Sequence, residues 1–210
     1  QEAILNWKSF NSEGELWFET IFNSENLEII DCSDSEAVNW ISKILKICYQ
    51  KTNKKLKGTI SCNLEFPNNW GLGSSSTLLS NIAQLFNVNP YEIHFSTTNG
   101  SGYDIACTLH HCPLTYQLIN NKPISKPVNW NPNFKNEILF VFLNKKQKSY
   151  SEINRFNALN KNSMLIQEIS NITSNINCVF MPRTYGMFVN TKYSCTFHSK
   201  IKIVFYIIVI

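Results

Sequence analysis

The sequence predicts an α+β protein. Near the N-terminus apolar and polar residues alternate with the period of β-strands, and the next segment spaces its apolar residues as an amphipathic helix does. After them, strand and helix patterns mix without regular β-α-β alternation, which favours α+β over a doubly wound sheet. With 210 residues, the chain is long enough to bury one sizeable core or two smaller ones.

The individual elements follow from local patterns. ILNWKSF and ELWFETIF flank NSEG and predict a β-hairpin. SDSEAVNWISKILKICYQKT predicts a helix with Asp34 or Ser35 as N-cap, and TLLSNIAQLF contributes the apolar stripe of a second helix over residues 75–86. Between these helices, KGTISCNLEF predicts a strand whose one face carries Ile60, Cys62, Leu64 and Phe66.

The C-terminal half continues the mixed pattern. NGSGYD is expected to form a loop that leads into a short helix or strand, and PLTYQL with PISKPV predicts a second hairpin. EILFVFLN is a continuous apolar run, typical of a buried strand. Residues 149–176 read as one or two helices.

Composition limits the function classes. A net charge of +4 suits a small anionic ligand but falls short of a nucleic-acid-binding surface, and no nucleic-acid partner is predicted. The seven cysteines, an odd number, include no C-x-x-C pair, and those in the first two thirds of the chain are expected to be reduced thiols: Cys32, Cys48, Cys62, Cys107 and Cys112. Since no secretory leader is visible either, a cytoplasmic location is predicted.

The last part of the chain has a different composition. All 15 acidic residues lie at or before Glu168, and the terminal run KIKIVFYIIVI is far shorter than the about 20 apolar residues that span a bilayer. No membrane partner is therefore predicted. Residues 177–210 are interpreted either as an atypical tail, produced by a frameshift or truncation, or as a terminal buried strand.

GLGSSST, which opens the second helix, has the chemistry of a phosphate-binding loop. Gly71 and Gly73 permit positive φ and leave backbone N–H groups accessible, and the helix N-terminus favours negative charge. The loop lacks the lysine of a Walker A motif, the third glycine of a Rossmann turn and the pattern of a nucleophile elbow. The alternative interpretation is a glycine turn followed by serine caps.

GSGYDIA places a carboxylate, Asp104, directly after a glycine loop. In that position Asp104 can act as general base for a hydroxyl acceptor or orient it for attack. The loop in front of it, expected to lie on the acceptor side, consists of Gly100, Ser101, Gly102 and Tyr103. The alternative interpretation is an aspartate that caps the following helix.

Together, in this order, the two motifs resemble the GHMP kinase superfamily, which includes galactokinase, homoserine kinase, mevalonate kinase and phosphomevalonate kinase. The family's phosphate loop P-x-x-x-G-L-G-S-S-[AS] is matched by Pro67, Gly71, Leu72, Gly73, Ser74, Ser75 and Ser76. Its S-G-x-D segment is matched by Ser101, Gly102 and Asp104. The longer segment GSGYDIA is similar to that of phosphomevalonate-kinase-like members and of a bacterial group named for the Gly-Tyr-Asp-Ile-Ala run.

This resemblance implies an ATP-dependent small-molecule kinase that requires Mg²⁺. The γ-phosphoryl group would pass to a hydroxyl or phosphate acceptor, such as mevalonate or phosphomevalonate. The segment from Gly71 to Thr77 would wrap the triphosphate. Ser74 or Ser75 would help to bind Mg²⁺, and Asp104 would face the acceptor. Glu92 is the nearest candidate for the glutamate that many members use as a metal ligand.

The resemblance also implies a domain organisation. Residues 1–134 would form a domain like domain 2 of ribosomal protein S5, and residues 135–176 would begin a ferredoxin-like C-terminal domain. The family's first motif and its glycine-rich third motif have no match, so the fold is expected to be incomplete. The alternative function is a catalytically inactive nucleotide-binding remnant or fragment. The oligomeric state is not predicted.

Three further features are weaker. Lys145, Lys146 and Lys148 follow the predicted buried strand and either attract an anionic acceptor or form a solvated charge run. His110, His111 and Cys112 are adjacent but have no second ligand pair at zinc spacing, so no metal site is predicted there. Trp70, inside the phosphate loop, either packs locally or touches the nucleotide.

Overall fold

The computed structural model describes residues 3–131 and 163–180, together with the single positions 136, 155 and 158. Residues 3–109 belong to one compact unit, and residues 110–131 and 163–180 belong to a second one. Helices and two separate sheets are present in the described ranges, which confirms the predicted α+β class. The predicted domain boundary at residue 134 falls on a position outside those ranges and stays a prediction.

The first unit is built on a four-stranded sheet. Its strands are β1 (Ile4–Phe10), β2 (Leu16–Asn23), β3 (Ile29–Cys32) and β4 (Gly58–Asn63). They are arranged in the order β3-β2-β1-β4. β1 runs antiparallel to β2, which confirms the predicted hairpin, and parallel to β4.

One face of this sheet carries the core because the strands alternate. The register pairs Leu5 with Phe22 and Trp7 with Thr20, and all four of these side chains are buried. The indole N–H of Trp7 donates a hydrogen bond to Ser9 Oγ at 3.1 Å, so the polar atom of the largest buried residue is satisfied.

Four helices lie between Ser35 and His110 in the chain: α1 (Ser35–Thr52), α2 (Ser74–Phe86), α3 (Pro90–Thr97) and α4 (Tyr103–His110). α1 begins where predicted, with Asp34 as its N-cap, and ends at Asn53 in the left-handed conformation. α1 and α2 each present one apolar stripe to the core, as amphipathic helices do. The buried residues of the helices that complete the core cluster are Val38, Ile41, Ile44, Leu45, Cys48, Leu79, Ile82, Ala83, Phe86, Ile93 and Ile105.

Two local predictions are wrong or incomplete in this unit. The strand expected to continue through Phe66 ends at Asn63, because its partner β1 ends at Phe10 and no further ladder can form. The sequence patterns also left β3 and α3 unassigned. α3 nevertheless begins with a recognisable signal, since Asn89 caps it through the Tyr91 N–H and Pro90 occupies its first position.

The second unit contains the predicted second hairpin. β5 (Leu114–Ile119) pairs antiparallel with β6 (Lys122–Pro127). Asn120 and Asn121, which join the two strands, both have positive φ, as a tight two-residue hairpin turn requires.

One helix of the second unit is described, α5 (Ser163–Phe180). It confirms a helix within the predicted range 149–176 and continues to Phe180, inside the segment interpreted as an atypical tail. The run EILFVFLN and the terminal apolar run lie outside the described residues. None of the described helices combines the length and apolar character that crossing a bilayer requires.

We predict that Asp34→Ala lowers the free energy of unfolding by about 1 kcal/mol, the usual contribution of an N-cap. Asp34 Oδ1 accepts hydrogen bonds from the N–H groups of Glu36 (2.8 Å) and Ala37 (3.0 Å), and alanine leaves both donors without this acceptor. Urea unfolding checks the value. Asp34→Asn keeps the acceptor and should lose only a few tenths of that amount, whereas equal losses in both variants would contradict the capping role.

Candidate functional site

The segment between β4 and α2 is a loop with two left-handed glycines. The N–H of Trp70 donates to the carbonyl of Pro67 at 3.1 Å, which closes a turn after the strand. Gly71 has φ +72° and Gly73 has φ +83°, a region that side chains rarely permit. The backbone freedom that the sequence assigned to these glycines is therefore used in the fold.

The first turn of α2 leaves its backbone donors available. Gly73 is the N-cap residue and has no side chain to accept from them. Within the part of the chain that the structure describes, the N–H groups of Ser74, Ser75 and Ser76 have no hydrogen-bond acceptor. No acidic side chain occupies this turn, so the positive end of the helix dipole is not offset there.

The four hydroxyl residues of the loop fall into two pairs. Ser76 Oγ and Thr77 Oγ1 both donate back to the carbonyl of Gly73, at 2.8 and 3.0 Å. Ser76 is buried, whereas Ser75 is exposed and Ser74 is half-buried. The hydroxyls of Ser76 and Thr77 thus tie the helix start to its cap, and those of Ser74 and Ser75 lie where a ligand can reach them. An anion is the chemical species that fits such a helix start.

The second glycine loop packs directly on α3. Gly102 is buried with φ +81°, and a Cβ placed there would lie 3.3 Å from the Tyr91 ring and 3.4 Å from His94 Cδ2. A Cβ at Gly100 would lie 3.2 Å from His94 Nε2. Both glycines are therefore needed for close approach of the loop backbone to the two rings.

His94 holds this loop by hydrogen bonding. Its ring is 7% exposed, and Nε2 lies 3.1 Å from the carbonyl oxygen of Gly100 and 3.2 Å from Thr98 Oγ1. A carbonyl can only accept, so the contact with Gly100 requires a proton on Nε2. The imidazole thereby fixes the end of α3 and the start of the glycine loop to each other.

Asp104 lies in the first turn of α4, half-buried. Its Oδ1 accepts a hydrogen bond from the N–H of Ile105 at 3.1 Å. A carboxylate in this position also interacts favourably with the helix dipole, so the capping interpretation and the catalytic one both stand. Ser101 and Tyr103, which the sequence analysis predicted to lie on the acceptor side, are exposed.

The Tyr91 hydroxyl lies in the electrostatic field of this carboxylate. Burial, followed by the charges of Cys107 and Asp104, raises the pKa of Tyr91 to about 12. Burial and the Asp104 charge also raise the pKa of the Cys107 thiol. The Tyr91 Oη is fully buried and has no hydrogen-bond partner among the described residues. Such an atom is unusual in a folded protein and marks a place where a partner is expected.

A hydroxyl pair joins the two helices that carry the motifs. Ser80 Oγ on α2 lies 2.6 Å from Thr108 Oγ1 on α4. Thr108 already donates to the carbonyl of Ile105 at 2.8 Å, so Ser80 is the donor to Thr108. α2 and α4 therefore touch about one to two turns from their N-terminal ends.

The remaining metal and anion candidates are placed as follows. Glu92, in the first turn of α3, is exposed and its carboxylate accepts from Lys51 Nζ at 2.6 Å. No group of three or more His, Cys, Asp or Glu side chains converges in the described ranges. His110 Nε2 contacts Ser125 Oγ at 2.7 Å and is thus engaged in the second unit. Lys145, Lys146 and Lys148 lie outside the described residues.

Trp70 and Leu72 stand on either side of Gly71, and both are about half exposed (50% and 55%). The structure places all the sequence-predicted loop residues from Pro67 to Thr77 in one continuous turn and helix start.

The sequence patterns missed Tyr91 and His94. Their spacing of three residues, which puts two rings on one face of a helix directly before a glycine loop, was the available signal.

We predict that Gly102→Ala lowers the free energy of unfolding more than Gly14→Ala does. Both glycines have φ +81°, so both variants carry the same left-handed strain of roughly 1–2 kcal/mol. Only at Gly102 does the added methyl group press on Tyr91 and His94, which adds about 1–3 kcal/mol of overpacking. Denaturant unfolding of the two variants measures the difference. Equal losses would show that the Tyr91–His94 contact is loose.

The chain matches no protein-family model, no curated protein and no solved structure. Its likeness to GHMP kinases consequently rests on the two loop motifs of the sequence.

Proposed function

We propose that this chain is an ATP-dependent small-molecule kinase of the GHMP type. The observation that carries the proposal is the start of α2, where two left-handed glycines lead into three backbone N–H groups with no acceptor in the described structure. Backbone donors aimed outward from a helix N-terminus are a recurrent solution for binding phosphate. The motif order, with GSGYDIA following this loop, supports the kinase class over other phosphate binders.

The loop would offer backbone N–H groups and serine hydroxyls to the phosphates of a nucleoside triphosphate. The N–H groups of Ser74, Ser75 and Ser76 would hold phosphate oxygens, and Gly71 and Gly73 leave the backbone open to them. The hydroxyls of Ser74 and Ser75 are the candidates to hold Mg²⁺, because those of Ser76 and Thr77 are bonded to Gly73. When bound, Mg²⁺ would neutralise developing charge on the phosphates.

Asp104 would act on the acceptor. During transfer, the bond between the γ-phosphorus and the bridging oxygen of ADP breaks, and a bond from the acceptor oxygen to phosphorus forms. If the acceptor is a hydroxyl, its proton passes to the Asp104 carboxylate. If the acceptor is a phosphate, which is already anionic, Asp104 would only orient it. Mevalonate and phosphomevalonate are favoured as acceptors by the family resemblance alone.

The larger arrangement belongs to the same proposal. A mixed sheet with helices against one face is compatible with the S5-like domain that the resemblance implies. The proposal also includes a ferredoxin-like C-terminal domain that begins at residue 135, and a cytoplasmic location. The location is supported by the free thiols of Cys32, Cys48, Cys62, Cys107 and Cys112.

A second candidate function is nucleotide binding without catalysis. It is favoured by the ion pair between Glu92 and Lys51, which occupies the carboxylate that the resemblance would give to the metal. In this case the glycine loop would still hold ATP, and no phosphoryl transfer would follow.

We predict that Gly71→Ala weakens Mg·ATP binding at least about tenfold, a change of about 1.4 kcal/mol. The alanine must leave the left-handed conformation or bear its strain, and either response redirects the loop. Isothermal titration calorimetry measures the affinity. Gly14→Ala is the matched control, because its φ is also positive and its surroundings are also open, yet it lies in the β1–β2 turn. Unchanged affinity in Gly71→Ala would count against the phosphate loop.

We predict that Asp104→Asn lowers kcat by about 100- to 10,000-fold if a hydroxyl acceptor is used, since a general base contributes this much. The ATP affinity should stay within about twofold, because Asp104 faces the acceptor in this proposal. Coupled ADP-release assays with mevalonate, phosphomevalonate and homoserine provide the measurement. Asp31→Asn, an exposed aspartate on β3, controls for loss of one charge. ATP binding without turnover in the unaltered chain would favour the non-catalytic alternative.

A further inference from the structure

We infer that Tyr91 and His94 are positioning residues that hold Asp104 in place through the glycine loop, Gly100 to Gly102, on which both rings pack. This inference rests on the proposed kinase function for its kinetic consequence. The packing of the two rings against residues 100–104 stands independently of that function.

The ring of Tyr91 is pressed against the backbone that leads to Asp104. The nearest ring carbons lie 3.3 Å from the Cβ position of Gly102, two residues before the carboxylate. Tyr91 also stacks on Phe95, with ring centroids 6.1 Å apart. The ring thus contacts both the glycine loop and a neighbour on its own helix.

His94 fixes the other end of the same loop. Its Nε2 bonds the carbonyl of Gly100, and its ring also contacts the Cβ position of Gly102 at 3.4 Å. His94 and Tyr91 lie one turn apart on α3, so a single helix face contacts the loop at both of its glycines. Neither residue would touch the acceptor or ATP, and both would act through the position of Asp104.

Kinetics of substituted chains test the inference. Tyr91→Leu removes the ring that packs on Gly102 and should lower kcat about tenfold or more, with the KM for ATP within about twofold, whereas Tyr91→Phe keeps the ring and should retain most of kcat. His94→Ala should lower kcat similarly, and His94→Gln, which can still donate to Gly100, should restore most of it. Ser96→Ala is the matched control: it removes a hydroxyl from an exposed position of the same helix, where Oγ donates to the Glu92 carbonyl.

Two kinetic results would overturn the inference: a kcat for Tyr91→Leu within twofold of the unaltered chain, or a loss that Ser96→Ala shares. A His94→Ala loss that His94→Gln does not recover would overturn the hydrogen-bond role of His94. A change confined to the KM for ATP would likewise assign these residues to nucleotide binding instead of to Asp104.

If the unaltered chain shows no turnover, the proposed kinase function fails. A second measurement then tests the positioning role by itself. Amide hydrogen exchange in the free protein at Ile105 and Ala106, directly after the carboxylate, should accelerate at least about tenfold in His94→Ala and return toward the original rate in His94→Gln. Tyr91→Leu should accelerate it as well, and Ser96→Ala should not. Unchanged exchange in both His94→Ala and Tyr91→Leu would overturn the positioning role without reference to any ligand.

Discussion

The parallel pairing of β4 with β1 determines where the candidate site can form. Because the two strands run in the same direction, Phe10 and Asn63 end at the same edge of the sheet, and the pairing stops after the hydrogen bond from the Leu64 N–H to the Phe10 carbonyl. Beyond that bond the chain turns away and returns as α2, whose apolar stripe packs into the core. The glycine loop is thus the consequence of a strand that ends together with its neighbour.

Both halves of the candidate site depend on places where a side chain is absent. At Gly73 the lack of a capping side chain leaves the first donors of α2 without the acceptor that serine, threonine or aspartate would normally supply. At Gly102 the lack of a Cβ lets two aromatic rings approach the backbone closely. The first glycine thereby leaves backbone donors accessible, and the second allows tight packing.

The predictable parts of this protein are those that a local pattern encodes. The hairpin of β1 and β2 and the helix capped by Asp34 follow from clean periods of two and 3.6 residues. The end of β4 does not, because Leu64 and Phe66 continue its alternation and only the length of β1 stops the ladder. The glycine loops could be located from sequence as well. The contact of Tyr91 and His94 with Gly102 could not, since it joins a short helix, which local patterns did not reveal, to a loop by tertiary packing alone.

For the proposed phosphate loop, the left-handed conformation of Gly71 and Gly73 has a consequence for the speed of binding. Both glycines hold this conformation as part of the fold, so a loop that binds an anion there would not have to search for it. Association is then governed by diffusion and by the field at the helix end, and its rate should differ little from one phosphorylated compound to another. Discrimination among such compounds would reside in how long each one stays.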